Sequence, residues 1–319
     1  MPAPEMGSYL VRRLTSTVIA LAGVSLLAFF TTALVPGNPA EVLLGSEATP
    51  ERLAAVTHEL GLDRPLWMRY LLWLQHAVRG DLGISTLSQQ PVTALLGSAL
   101  PVTLELSLFS LVLAAAVALP GGLWLGERSR NWWVRPIMFT VTIGVSVPGF
   151  WVGLMLIVLF AVKLGILPPG GYVPFSEDLG GNLKNMLLPS VTLSLYLAPP
   201  LVRFLRSSTV GILREDYVKV AHAKGMSDWR VLFRHVAPNA LIPALTYLGL
   251  QLGLLISGAI VTEVIFALPG MGGLGLTAIL DRDYPVVQGV ALVVAAGFVV
   301  ANLLVDLTYT LVDPRTRVA

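Results

Sequence analysis

Apolar positions fall in six long runs, approximately Leu10–Leu34, Thr103–Gly126, Pro136–Val162, Leu187–Leu205, Leu241–Phe266 and Gly289–Val312. Each is long enough to cross a hydrocarbon core of ~30 Å as a helix. Arg12 and Arg13 precede the first run, as they would in a secretory signal. The run is longer than a signal core, and no small-x-small cleavage site follows it, so a retained span is expected.

Between the first two runs the pattern changes to amphipathic. In TPERLAAVTHELGL, Leu53, Val56 and Leu60 repeat at helical spacing, with Thr49 or Pro50 as the start and Gly61 as the stop. RPLWMRYLLWLQHAV reads as a second short helix, and GDLGIS as a turn. Trp67, Tyr70 and Trp73 suit a boundary between water and lipid. The segments GILPPGGYVPFSEDLGG and ALPGMGGLGLTAILDRDYP are rich in glycine and proline.

The segment between runs four and five is polar and patterned. REDYVKVAHAKG reads as a helix with Glu215 and Asp216 in its first turn, Lys224 in its last and Gly225 as its stop. Ser227 can cap a second helix. There Trp229, Leu232, Phe233 and Val236 follow i, i+3, i+4, i+7 and are expected on one face. Arg230 and Arg234 lie on another, and Pro238 follows. Two readings fit: a solvated basic loop on anionic lipid, or a helical elbow that docks into a protein groove.

Composition narrows the class. The chain has 319 residues, 55% hydrophobic and 13% charged, with mean hydropathy +0.76. A soluble domain is about one-quarter charged, so a polytopic membrane protein is expected. The absence of cysteine excludes disulfides, thiolate metal sites and cysteine nucleophiles. With the N-terminus inside, fourteen of the 21 basic residues fall on cytoplasmic segments, as the positive-inside bias requires. Six spans then place both termini in the cytoplasm. The expected fold is all-α: a cytoplasmic N-terminus (1–9), the first span (10–35), a small helical extracytoplasmic insertion (36–102) and a core (103–319) with a cytoplasmic loop at 206–240.

That loop is similar to the signature loop of binding-protein-dependent ABC permeases, whose pattern is Glu-Ala-Ala, three residues, Gly, nine residues, Ile-x-Leu-Pro. Gly225, Pro238 and Ala221 match it. Lys219, Val220, His235 and Ala237 depart from it. The longer string DYVKVAHAKGMSDWRVLFRHVAPNALIP resembles the oligopeptide/dipeptide/nickel branch, where such departures are usual. Matches in order extend over nearly the whole chain: YLVRRL, LVPGNPAE, ELGLDRPLWMRYLLWL, GDLGIS, LPVTLELSL, VPGFWVGLMLIV, LGLQLG, TEVIFALPGMG, DRDYPVVQG and NLLVDLTYTLVDPRTR. The long outer loop resembles that of the first of the branch's two permease subunits.

The resemblance implies an importer subunit in a prokaryotic cytoplasmic membrane. Its partners would be a second homologous permease, two cytosolic ATPases, an extracytoplasmic binding protein and the lipid bilayer, with no nucleic acid. ATP and Mg would belong to the ATPases, since no Walker-type motif is present. The substrate implied is a di- or oligopeptide, with nickel and glutathione as variants of the branch. The residues implied in coupling are Asp216, Tyr217, Ala221, Lys224, Gly225, Trp229, Phe233 and Pro238. Gly225 would be the elbow, and Trp229 and Phe233 the anchors.

Carboxylates near or within the spans call for a reason. Glu105 is expected near the outer end of the second span, in contact with water. Glu263 is expected to hold the glycine-rich FALPGMGG loop or to meet a substrate amine at an outer gate. Asn302 and Asp306, four apart, are expected to pair with another span or to line the pathway. Gly249, Gly253 and Ser257 offer a small face for a close helix crossing. Pro148-Gly149 and Pro199-Pro200 are candidate bends. The separated histidines suggest no metal site. A proton- or sodium-coupled transporter would need charges around a midplane site, whereas these carboxylates lie mostly near span ends. No H-E-x-x-H or G-x-S-x-G motif points to an enzyme.

Overall fold

The computed structural model describes the backbone of residues 3–33, 44, 49–59, 61–144 and 146–312, and their side chains except at 3–14, 59, 257–258 and 305–312. Among these residues the regular structure is helical, with one isolated bridge between Ile84 and Pro91. Five helices are long and apolar enough to cross a membrane, or six if one bent pair counts as a single span.

The order is α1 (Ala3–Ala33), α2 (Pro50–Glu59), α3 (Leu66–Val78), α4 (Val92–Glu127), α5 (Val134–Gly144) and α6 (Gly149–Leu156). Then come α7 (Leu179–Ile212), α8 (Asp216–Ala223), α9 (Asp228–Val231), α10 (Ala237–Gly258), α11 (Ile260–Ile265), α12 (Met271–Leu280) and α13 (Tyr284–Val312). π-helical turns extend α6 over Ile157–Lys163 and join α9 to α10 over Leu232–Val236.

The chain forms two compact units, one of Leu104–Leu268 with the chain from Val300, the other of Pro2–Thr103 with Pro269–Val299. In the second unit, α2 and α3 occupy the two stretches expected to be amphipathic, and Gly61 ends the first at φ +61°. Tyr70 and Trp73 are half-buried. Their rings pack on Phe29 of α1 at 5.5 and 5.8 Å between centroids, and the Tyr70 hydroxyl lies 2.9 Å from Ser25 Oγ. Trp67 remains exposed. Two threonines on α1 donate locally: the Thr31 hydroxyl donates to the Leu27 carbonyl and that of Thr32 to the Ala28 carbonyl.

Helices α4 and α7 are long because they continue through internal prolines. At 36 residues, α4 spans about 54 Å at 1.5 Å per residue, well beyond a hydrocarbon core. It starts at Val92, not at the expected Thr103, because the helix runs on through Pro101. The expected bend at Pro199-Pro200 is absent as a break, since α7 continues through Pro189, Pro199 and Pro200. The other candidate is a sharp break: α5 and α6 turn by 96°, with Pro148 extended at the start of α6. The fifth expected span divides at Ala259 into α10 and α11.

Glycines set the closest crossing in the first unit. A Cβ on Gly122 would lie 2.7 Å from Leu205 Cβ, and one on Gly126 would lie 2.5 Å from Thr209 Cβ. Gly122 and Gly126 are four apart on α4, and Leu205 and Thr209, which fill them, are four apart on α7, so the helices meet backbone to side chain. Around this crossing Ala118, Leu123, Leu125, Val134, Leu201, Val202, Ala240 and Ala244 form one buried cluster.

Gly122→Val and Gly126→Val are expected to lower the thermal unfolding midpoint in detergent, each by the ~1–3 kcal/mol typical of overpacking. Gly121→Val, where an added Cβ meets nothing within 4 Å, should leave the midpoint unchanged. Equal effects at all three positions would show that the crossing is not the constraint.

Candidate functional site: a helical elbow between two spans

The polar segment after α7 folds on a nucleus of its own. Val218 and Ala221 of α8 and Val231, Leu232 and Val236 beyond the elbow are buried together, with Ile212, Leu213 and Met226 packed against them. Gly225 makes the reversal at φ +80°. Its N–H donates to the His222 carbonyl at 2.9 Å, and the Met226 N–H donates to the Ala221 carbonyl at 3.3 Å. A Cβ at Gly225 would meet nothing within 4 Å. The requirement is therefore conformational: a left-handed residue costs a side chain about 1–2 kcal/mol. His222 closes the elbow, with Nε2 3.2 Å from an Asp228 carboxylate oxygen.

Glu215 and Lys224 cap α8 from just outside it rather than sitting within its end turns. Asp216 occupies the first turn and accepts from Lys219 Nζ at 2.7 Å. That hydrogen bond, with the charge on Lys219, holds the Asp216 carboxyl below the usual carboxylate range. Ser227 precedes α9 but makes no side-chain cap bond.

The four residues expected on one face divide. Leu232 and Val236 are buried, while Trp229 is 70% exposed and Phe233 48% exposed. The π turns over Leu232–Val236 widen the helix, so a strict 3.6-residue register does not hold there. Trp229 and Phe233 instead pack on each other, with ring centroids 4.0 Å apart. Tyr217 and Val220 are also exposed on α8. Pro238 does not end the second helix. It stands at the start of α10 in a helical run that is continuous from Asp228.

The candidate gate residues are placed differently. Glu263 is fully enclosed. Its carbonyl accepts from the Leu268 N–H at 2.8 Å and so helps to fold the FALPG segment. The neighbouring Phe266 carbonyl accepts from Gly171 N–H at 2.8 Å, and a Cβ on Gly170 would come within 2.3 Å of that carbonyl oxygen. Asn302 is half-buried on α13. The side chain of Asp306 lies outside the described residues, as does that of Ser257. No group of three or more histidines and carboxylates suited to a metal occurs among the described residues.

Two polar clusters escaped the sequence reading. Glu105 is not simply bathed in water: it accepts from the Tyr172 hydroxyl at 2.9 Å and from Asn182 Nδ2 at 2.5 Å. Asn182, fully buried, also donates to the Val173 carbonyl. Burial, and then the bond to Glu105, push the Tyr172 phenol up to about 12. In the other unit, Asp283 of DRDYP accepts from Ser85 Oγ at 2.5 Å and from the Thr86 N–H at 3.1 Å. It thereby ties down the turn after GDLGIS. Both motifs are visible in the sequence, but their pairing across 198 residues is not.

Two family models match. "Binding-protein-dependent transport system inner membrane component" covers residues 118–318, and the N-terminal model of the same kind of component covers residues 6–107. The chain belongs to this family. It is a multi-pass component of the inner membrane. Among its relatives, the "Probable peptide ABC transporter permease protein y4tP" of Sinorhizobium fredii is 38% identical, over 98% of this chain and 100% of its own. The "Dipeptide transport system permease protein DppB" of Alkalihalophilus pseudofirmus is 37% identical, over 98% and 100%. The protein of the same name from Escherichia coli is 37% identical, over 98% and 99%.

Asp283→Ala leaves Ser85 and the Thr86 N–H without their acceptor. The expected loss is ~1–3 kcal/mol, seen as faster hydrogen exchange at residues 83–90. Unchanged exchange there would remove Asp283 as the tether.

Proposed function

We propose that this permease imports di- or oligopeptides as the first of two homologous permease subunits, with the elbow as the point where ATPase movement enters it. The names of its relatives support the peptide substrate. Two cytosolic ATPases hold ATP and Mg, and an extracytoplasmic binding protein delivers the substrate. The topology that fits keeps the termini and the elbow cytoplasmic, and the α2–α3 insertion outside.

One observation carries the coupling role: an apolar pair, Trp229 and Phe233, stands exposed on a hairpin whose opposite side is well buried. Such a rigid aromatic pair is suited to fill a protein groove. Tyr217 flanks it, and Asp216 and Lys224 supply charge at the rim. Ala221 packs inside the hairpin, and Gly225 sets the angle between its arms. The helical run through Pro238 into α10 would carry a push at α9 along the span.

Trp229→Ala with Phe233→Ala should abolish copurification of the ATPase subunits and peptide uptake together, at a cost of about 2 kcal/mol or more per anchor. The permease itself should remain folded. Gly225→Val should impair both, and Gly225→Asn less, because asparagine tolerates the left-handed region better. Retained ATPase binding in the double variant would overturn the role given to this pair. Normal coupling without uptake of labelled dipeptides would overturn the substrate class alone.

A further inference from the structure

The turn between α4 and α5 carries features that the coupling role does not use. It holds Arg128 and Arg130, and Arg135 follows in the first turn of α5. All three are exposed, and no carboxylate among the described residues pairs with any of them. Arg135 sits at the positive end of a helix dipole, where a cation is disfavoured unless an anion lies nearby. The Nε of Arg206 on α7 is shielded from solvent and lacks a hydrogen-bond partner. Its residue's carbonyl lies against Gly126, two positions before Arg128.

The arginines are set in aromatics. The Arg128 guanidinium lies 5.0 Å from the Trp124 ring centre, and Trp124 packs on Trp133 at 4.8 Å. Trp132 is 79% exposed. The turn itself is held by backbone bonds, Arg128 N–H to the Trp124 carbonyl and Asn131 N–H to the Arg128 carbonyl. It joins the apolar end of α4 to an apolar helix, which puts it at the edge of the hydrocarbon. Amphipathic indoles favour that depth, and unpaired guanidinium groups there bind phosphate oxygens well.

We propose that the α4–α5 turn is a headgroup site for anionic phospholipid, with Arg128, Arg130 and Arg135 holding the phosphate and Trp132 seated beside them at the level of the headgroup and glycerol. The commitment to lipid rests on charge complementarity and on the exposed indole beside the arginines at a span end. A soluble anion would have no use for that indole. The site depends on the chain being a membrane component and not on the elbow's role.

Native mass spectrometry of the full-length protein in mixed phosphatidylglycerol and phosphatidylcholine micelles tests this. The unaltered chain should retain phosphatidylglycerol preferentially. Arg128→Gln, Arg130→Gln and Arg135→Gln combined should lose that preference, by roughly fivefold per arginine as expected for one basic side chain at an anionic surface. Arginine-to-lysine versions should keep most of it. Arg64→Gln with Arg69→Gln, a control in the other unit, should keep all of it. If the triple variant unfolds, Trp132→Ala with Arg135→Gln serves instead, read by the same preference and by size exclusion. An unchanged preference, an equal loss in the control, or loss of ATPase copurification with lipid preference intact would each overturn the proposal.

Discussion

Hydrocarbon offers no partner to a peptide N–H, and that constraint governs the elements described here. It favours helices that run on where a soluble chain would stop. In α7 the helix passes three prolines without ending. Around Pro238 the chain widens into π turns and stays helical into α10. Each proline removes a donor, and the helix continues past it. Threonine hydroxyls on α1 act in the same sense, donating to carbonyls one turn back.

Where the chain leaves helix, side chains replace the missing backbone partners. Glu105 collects Tyr172 and Asn182, and Asp283 collects Ser85 and the Thr86 N–H. These carboxylates do structural work at sites where the cost of burial would otherwise count against them. They also explain how glycine- and proline-rich connections hold defined shapes. At the other extreme, Gly122 and Gly126 leave room for the Leu205 and Thr209 side chains directly against the α4 backbone.

The elbow combines both kinds of constraint. Its inner side is a compact apolar nucleus, and its outer side presents two aromatic rings in contact at a tilt. A hairpin built only to rest on lipid would not need a fixed left-handed turn at Gly225. Continuity with α10 gives a displacement at α9 a stiff path along a helix, whereas a flexible loop would dissipate it.

Hydropathy was sufficient for the membrane class and the approximate positions of the spans, and local spacing with glycine and end charges for the two helices before the second span and the stop at Gly225, because burial in lipid and φ > 0 are properties that single residues and local periods report. The resemblance over the whole chain brought the permease family, which the matching models show. Local pattern misplaced Trp229 and Phe233 because it assumed a 3.6-residue turn where the helix is wider. It also missed the long extension of α4, the persistence of α7 through its prolines and the break at Ala259. The Gly122–Gly126 spacing was present in the sequence, but which helix fills it was not. The partners of Glu105 and Asp283 were likewise beyond reach, since each lies far away in sequence. Periodicity registers how a residue meets its solvent; only the folded chain decides which distant residue meets it.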